Sequence, residues 1–323
     1  MNRLLPIISF LFLTSLCAAA DVPGAVKSVT PYLIRIETIG GHEKVGREFA
    51  NEGTSTGILL DKEGYVITGA FNFLHDPTSI LLVFPDGTKK VAKKIATDRL
   101  RMLTLLKAND FTGSEIAPLP TRSKESIKTG EHCIAVGAVF SSEPNVALGI
   151  ISGKDRIWGK AVQTDAAIGP NNYGGLLIDL DGKALGIPVP ISMMSDDVTA
   201  GAEMYDAGIG MAIPWEDAMA LLPKLKEGKD RLPGFLGFGF KDNQTFVGEA
   251  VLMVLPDSPA GQAGLKNGDK IVKIDDVPML TALDVTKNIR QRYVGETLTI
   301  TFLRNGTEQT ISLETMEKKK SAE

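Results

Sequence analysis

At 323 residues, with 43% hydrophobic and 23% charged residues, the chain is long enough for two domains, each with its own core. A net charge of −4 lacks the clustered basic excess of a nucleic-acid surface. Three histidines and two cysteines, none paired at ligand spacing, leave no material for a metal centre, and no cofactor is expected.

The chain opens with the basic start Met1-Asn2-Arg3, an apolar run from Leu4 to Cys17, and the small residues Ala18-Ala19-Ala20. This pattern predicts a secretory signal peptide over 1–20, cut after Ala20, and hence an exported protein, periplasmic or extracellular. The apolar run is shorter than the ~20 residues of a membrane span. Only Cys133 would remain after cleavage, in the run Cys133-Ile134-Ala135-Val136-Gly137, where a buried inert thiol is expected.

From about 24 to 215 the sequence reads as short strands separated by turns. Leu33 to Thr38 alternates Ile34 and Ile36 with Arg35 and Glu37, as a half-buried strand does. Ile58-Leu59-Leu60, the turn from Asp61 to Gly64, and Tyr65 to Thr68 predict one hairpin; Ile80 to Phe84, Pro85-Asp86-Gly87, and Lys89 to Ile95 predict another. Leu103 to Leu106, Ile134 to Val136, Ala147 to Ser152 and Leu176 to Ile178 continue the series, which implies a sandwich or barrel. The polar segment from Gly40 to Glu52 reads as a surface loop. Trp215 to Lys226 has apolar residues at helical spacing, with Pro223 placed to kink or end the helix. Beyond the charged connector from Gly228 to Pro233, a smaller unit contains strands at Val251 to Val254 and Lys270 to Asp275. A helix over Leu283 to Arg292 and a closing hairpin around Asn305-Gly306 follow. The end, 317–323, reads as a charged solvated tail.

The segment Gln163-Thr164-Asp165-Ala166-Ala167-Ile168-Gly169-Pro170-Asn171-Asn172-Tyr173-Gly174-Gly175-Leu176 resembles, without a gap, the nucleophile loop of HtrA-type serine proteases. Gly64-Tyr65-Val66-Ile67-Thr68, Gly149-Ile150-Ile151-Ser152-Gly153 and Gly208-Ile209-Gly210-Met211-Ala212-Ile213-Pro214 resemble other strands of that family. The downstream pattern Ser258-Pro259-Ala260, Ala263-Gly264-Leu265 and Gly268-Asp269 resembles a PDZ domain. The resemblance implies a mainly β protein: a chymotrypsin-like double β-barrel over 24–227, then a small α+β PDZ domain over 233–316.

The same alignment puts the family's catalytic serine on Tyr173, its histidine on Phe71 and its aspartate on Met102. A triad needs a nucleophile, a base and a carboxylate that orients the base. Phenylalanine and methionine cannot serve, and a phenol with pKa ~10 stays protonated without a base. Asn171 replaces a glycine of the oxyanion hole. His75 lies four residues after Phe71 and reads as a solvent-facing loop residue; Asp98 matches a non-catalytic aspartate and reads as a turn residue. No intact catalytic set is expected.

A PDZ domain captures an extended peptide and holds its terminal carboxylate on backbone N–H groups. The resemblance assigns this loop to Phe235, Leu236, Gly237 and Phe238, with Leu236 and Phe238 expected to offer apolar surface; Val285 and Ile289 are expected mainly to pack inward. The expected function is therefore an exported, non-catalytic HtrA-like protein that binds peptides, protein C-termini or unfolded segments as a scaffold, chaperone or regulator of an active relative. The alternative is an exported serine-type endopeptidase with a non-standard active site. The family also implies a homotrimer assembled through aromatic residues near the mature N-terminus, although none occurs from Asp21 until Tyr32. Neither nucleic acid nor a membrane span is expected.

Overall fold

The computed structural model describes residues 21–40, 44–45, 48–49, 53–73, 76–113, 117–138, 143–170, 172–191, 207–240 and 249–318. The leader, His75, Asn171, most of the 40–52 loop and the last tail residues lie outside these. Within that loop, β2 (Lys44–Val45) pairs with β3 (Glu48–Phe49).

The first barrel comprises β1 (Leu33–Ile39), β4 (Gly53–Leu59), β5 (Tyr65–Gly69), β6 (Ser79–Val83), β7 (Lys89–Asp98) and β8 (Leu103–Ala108), closed in the order β1-β4-β5-β8-β7-β6. The second contains β9 (His132–Gly137), β10 (Asn145–Asp155), β11 (Ala161–Thr164), β12 (Leu176–Ile178), β13 (Ala184–Pro188) and β14 (Gly210–Pro214), closed as β10-β11-β14-β13-β12-β9. This is the chymotrypsin-like double barrel, mostly β with few helices. Strands between the barrels bury both faces, which explains their unbroken apolar runs. On β5, Val66 fills the first barrel while its neighbour Ile67 joins the core shared between barrels. On β9, Cys133 and Ala135 face the second barrel's interior while Ile134 and Val136 face the shared core.

Helix α1 (Val22–Val29) was not anticipated. Asp21 caps it by accepting from the Gly24 N–H at 2.9 Å, and Ala25, Val26 and Val29 bury its inner face. Helix α2 (Arg156–Gly159) is a single irregular turn before β11. Helix α3 (Trp215–Lys226) occupies its predicted span and runs through Pro223 without breaking. Ala218, Leu221 and Leu225 dock it on the shared core, each buried leucine contributing about 1.5–3 kcal/mol. Its acidic first turn is tied down by Lys124, whose Nζ lies 2.8 Å from Asp217.

The C-terminal unit has a ribbon of β15 (Phe238–Phe240) and β16 (Leu252–Val254), and the short helix α4 (Pro259–Gln262). Its sheet is ordered β18-β17-β19-β20, from β17 (Lys270–Ile274), β18 (Val277–Pro278), β19 (Thr297–Arg304) and β20 (Thr307–Glu314). Helix α5 (Ala282–Ile289) starts with a capping box between Thr281 and Asp284 and ends three residues before the predicted Arg292. The unit has its own core, including Leu236, Leu252, Ile271, Val285, Ile300 and Phe302.

The charged connector between the units is held along the end of β7. Arg231 N–H donates to Thr97 O at 2.9 Å, Arg99 N–H donates to Arg231 O at 3.0 Å, and Asp230 accepts from the Thr97 N–H at 2.8 Å. Tyr293, just beyond α5, then inserts its hydroxyl against the barrel: it donates to the Asp98 carboxylate and accepts from Arg101. The Arg231 guanidinium stacks over the same ring, 3.7 Å from its centroid. Asp98 is fully buried. It does serve a turn, accepting from the Arg101 N–H at 2.8 Å, but it is also the barrel's anchor for the C-terminal unit.

Candidate functional site

Three loops meet where the barrels touch. Phe71 opens the short turn Phe71–Phe73 after β5, whose far end, Phe73, is buried in the first barrel. Met102 sits in the tight connection between β7 and β8 with a left-handed backbone, φ 57°. Its carbonyl accepts from the Ala70 N–H at 2.8 Å, which fixes it beside the Phe71 turn. Tyr173 comes from the loop before β12, and its ring lies 6.5 Å from that of Phe71, tilted by 50°. The structure sets Phe71 beside Tyr173 and holds the Met102 backbone beside the Phe71 turn.

Their chemistry is apolar. Met102 is 4% exposed and Tyr173 is 5% exposed, the latter packed in the second barrel's core with Ile168 and Leu177. Burial pushes the Tyr173 phenol up to about 12. His132 is exposed on β9, where it pairs with Ile150 of β10; the other two histidines, His42 and His75, lie outside the described residues. Cys133 is buried with its sulfur 3.1 Å from the Thr164 hydroxyl, and burial pushes its thiol up to about 11. Among the described residues, no group of three or more His, Cys, Asp or Glu stands where it could hold a metal ion.

The glycines of this loop have a structural reason to be there. Gly174 has φ 77°, and a Cβ on it would stand 2.3 Å from Thr56 O and 2.5 Å from Gly69 N. Its own N–H donates to Pro188 O at 2.9 Å, while Thr56 N–H donates to Tyr173 O at 3.4 Å. The loop is therefore stitched to both barrels through backbone contacts that leave no room for a side chain, whatever residue occupies position 173.

A second site lies between the units. A cleft of about 300 Å³ is walled on one side by Leu100, Met102 and Ile191 of the barrels and on the other by Phe235 to Phe238 and Ile289. The carbonyls of Phe235, Leu236 and Gly237 all accept from the fold: from the N–H groups of Met316, Ala260 and Leu255 at 3.1, 2.9 and 2.9 Å. In trans peptides each N–H points opposite the preceding carbonyl, so the N–H groups of Leu236, Gly237 and Phe238 face away from that core. Gly237 has φ 79°, and a Cβ there would stand 2.0 Å from Ser258 Cβ. Among the described residues β15 pairs with β16, and the Leu255–Gly237 bond sets an alternation that turns the Phe238 backbone outward.

Two expectations need correction. Leu236 offers no apolar surface: its side chain is 2% exposed and packs into the C-terminal core, while its carbonyl accepts from the Ala260 N–H. Ile289 lines the cleft as well as packing against that core, while Val285, one turn earlier, is fully buried. The i, i+4 spacing of this pair was visible in the sequence, but which member faced the groove depended on the helix's rotation.

Residues 55–187 match the trypsin-like peptidase domain family and residues 234–315 match the PDZ domain family. The chain is 26% identical over 305 residues to the serine endoprotease DegS of Escherichia coli K12, covering 90% of this chain and 84% of that protein. It is 29% identical over 285 residues to a probable periplasmic serine endoprotease, DegP-like, of Pseudomonas fulva 12-X, covering 83% of this chain but 57% of that longer protein. Among solved structures, a variant of the HtrA-type protease AlgW with a tripeptide superposes with a TM-score of 0.69 at 25% identity, over 92% of this chain and 97% of that one. Sequence and barrel topology agree: the chain carries a trypsin-like peptidase domain followed by a C-terminal PDZ domain, the arrangement of HtrA-type proteases.

Proposed function

We propose that this is a non-catalytic member of that arrangement which binds peptide C-termini at the cleft between its units. The observation that carries the reading is the loop from Phe235 to Phe238, whose carbonyls are consumed by the fold and whose successive N–H groups are turned outward. Such a concavity of donors suits a terminal carboxylate, and the side of β15 turned away from β16 suits the extended chain behind it. Phe235, Phe238 and Ile289 would meet the last side chain, while Leu236 and Gly237 act through their backbone.

The barrels serve as scaffold in this reading. Hydrolysis at Tyr173 would require the phenol to lose its proton, yet burial holds its pKa at about 12 and Phe71 is the group beside it. Loss of a full triad costs a factor on the order of 10⁶ in turnover. Export to the periplasm is supported by the description of the DegP-like relative, and no described helix is long and apolar enough to cross a membrane. The binding claim is tested by titrating the full chain with a labelled decapeptide ending in valine, as the free acid and as the C-terminal amide. The free acid is expected to bind at least tenfold more tightly, since the amide forfeits charge-assisted hydrogen bonds. Equal affinity would remove the carboxylate from the account.

A further inference from the structure

The second barrel leaves one strand edge open. Strand β10 closes that barrel through its second half, where Ile151 and Gly153 pair with Thr164 and Gln163 of β11. Its first half, from Asn145 to Ile150, pairs on one side with Gly137 to His132 of β9. Ile151 N–H donates toward that side, to Glu131 O at 2.8 Å, so Gly149, Ala147 and Asn145 bond toward β9 as well. Ile150 turns the other way. Its N–H donates to the Asp165 carboxylate at 2.7 Å, and its carbonyl accepts from the Asp165 N–H at 3.4 Å. Val146 and Leu148 share that outward orientation by alternation, and among the described residues no group bonds their outward backbone.

Strand edges are ordinarily blunted by charge, which repels a second strand. Here no charged residue occurs from Pro144 to Gly153, and Val146 and Leu148 are 45% and 54% exposed. The edge is therefore apolar as well as unpaired, and its donor pattern selects an occupant. A copy related by a two-fold axis runs antiparallel, and only outward-pointing residues can exchange bonds with it. A register centred on Val146 would set Leu148 against Pro144, which has no N–H. One centred on Leu148 would set Val146 against Ile150, whose backbone is already taken by Asp165. Centring on Ala147 sets Val146 of each copy against Leu148 of the other, and every outward N–H and carbonyl of both residues is bonded. The same register brings the exposed valines and leucines together on one face.

We propose that the edge of β10 from Asn145 to Gly149 is a two-fold self-association site, joining the second barrels of two copies through an antiparallel ladder centred on Ala147. The inference does not depend on the carboxylate loop, which lies in the other unit. It also differs in symmetry from the threefold assembly that the family resemblance implies. A ladder this short buries less than the ~1,000 Å² of a persistent interface, so the pairing is reversible, with a dissociation constant on the order of 10–100 µM.

The test is sedimentation velocity on the full chain from about 1 to 300 µM, which brackets that range. The smallest species, whatever its mass, is expected to double reversibly as concentration rises. Leu148→Lys should weaken the doubling by about tenfold or more, because it places like charges across the two-fold axis and a lysine against Val146. Leu148 is exposed, so an unchanged thermal midpoint shows that this variant is folded. Adding Val146→Glu to Leu148→Lys should restore the doubling to within about threefold, since position 146 of one copy faces position 148 of the other. Absence of doubling across the range overturns the proposal and leaves the edge to an extended segment of another protein. Doubling that Leu148→Lys leaves intact overturns it by placing the contact elsewhere. A double variant no better than the single one overturns the Ala147 register, and the two-fold ladder with it.

Discussion

The nucleophile-type loop around Tyr173 and the carboxylate-type loop around Gly237 are built alike and differ in what they retain. Each has a glycine with positive φ pressed against a neighbouring element: Gly174 against Thr56 and Gly69, Gly237 against Ser258. Hydrolysis depends on side chains, and those at the first loop are a phenol, a phenyl ring and a thioether. Carboxylate binding depends on backbone N–H groups, which persist as long as the fold does. On the proposed reading, the first loop keeps its backbone frame without catalytic side chains, while the second keeps the backbone groups that binding needs.

The comparison is broken most severely by filling either crossing. Gly174→Ala combines a left-handed backbone with a Cβ 2.3 Å from a carbonyl oxygen, so a loss on the order of 3 kcal/mol or more is expected in urea unfolding. A wild-type midpoint would show that the barrels part more readily than this packing implies. Gly237→Ala should instead remove free-acid peptide binding through a local shift of the Ser258 turn, with the barrels' thermal transition unchanged.

A smaller effect is expected at the joint between the units. Tyr293→Phe strips the buried Asp98 carboxylate of a hydroxyl donor and should cost about 1–3 kcal/mol. Burial raises the Asp98 carboxyl above its ordinary value, even though the Tyr293 hydroxyl and Arg101 favour its ionised form. The folded chain therefore keeps this proton where the unfolded chain has lost it. That contribution is fully present below about pH 4, the ordinary carboxylate value, and is lost as pH rises through the raised folded value. Asp98→Asn should flatten this slope in unfolding curves taken across the acidic range; an unchanged slope would assign it to other groups.

The effect smallest at neutral pH separates a buried phenol from a working one. With its pKa at about 12 against 10 in an unfolded chain, Tyr173 adds stability that is complete below pH 10 and is lost between about 10 and 12. Tyr173→Phe should leave neutral-pH stability nearly unchanged and soften the alkaline loss by roughly 2–3 kcal/mol. A Tyr173 absorbance titration near 10 would mean that the ring is open to water.

Much of the fold was legible because strands and hairpins are written locally: the alternation from Leu33 to Thr38, the turn at Asp61 to Gly64 and the helix at Trp215 all appear as read. Helix α1 was equally legible, with Val22, Ala25, Val26 and Val29 at helical spacing behind a capping aspartate. Strand β13 was obscured by Gly186 and Pro188. The joint was not legible at all. Asp98 and Tyr293 stand 195 positions apart, and neither sequence neighbourhood signals the other. The cleft shares this property, since its two walls meet only when the domains dock.

The most direct test of the central claim is degradation of casein by the purified chain beside a Tyr173→Ala variant. The account predicts no cleavage by either protein under conditions in which both bind free-acid peptide. Cleavage by the unaltered chain that disappears in the variant would contradict it, because Tyr173 would then be acting as a nucleophile despite its burial.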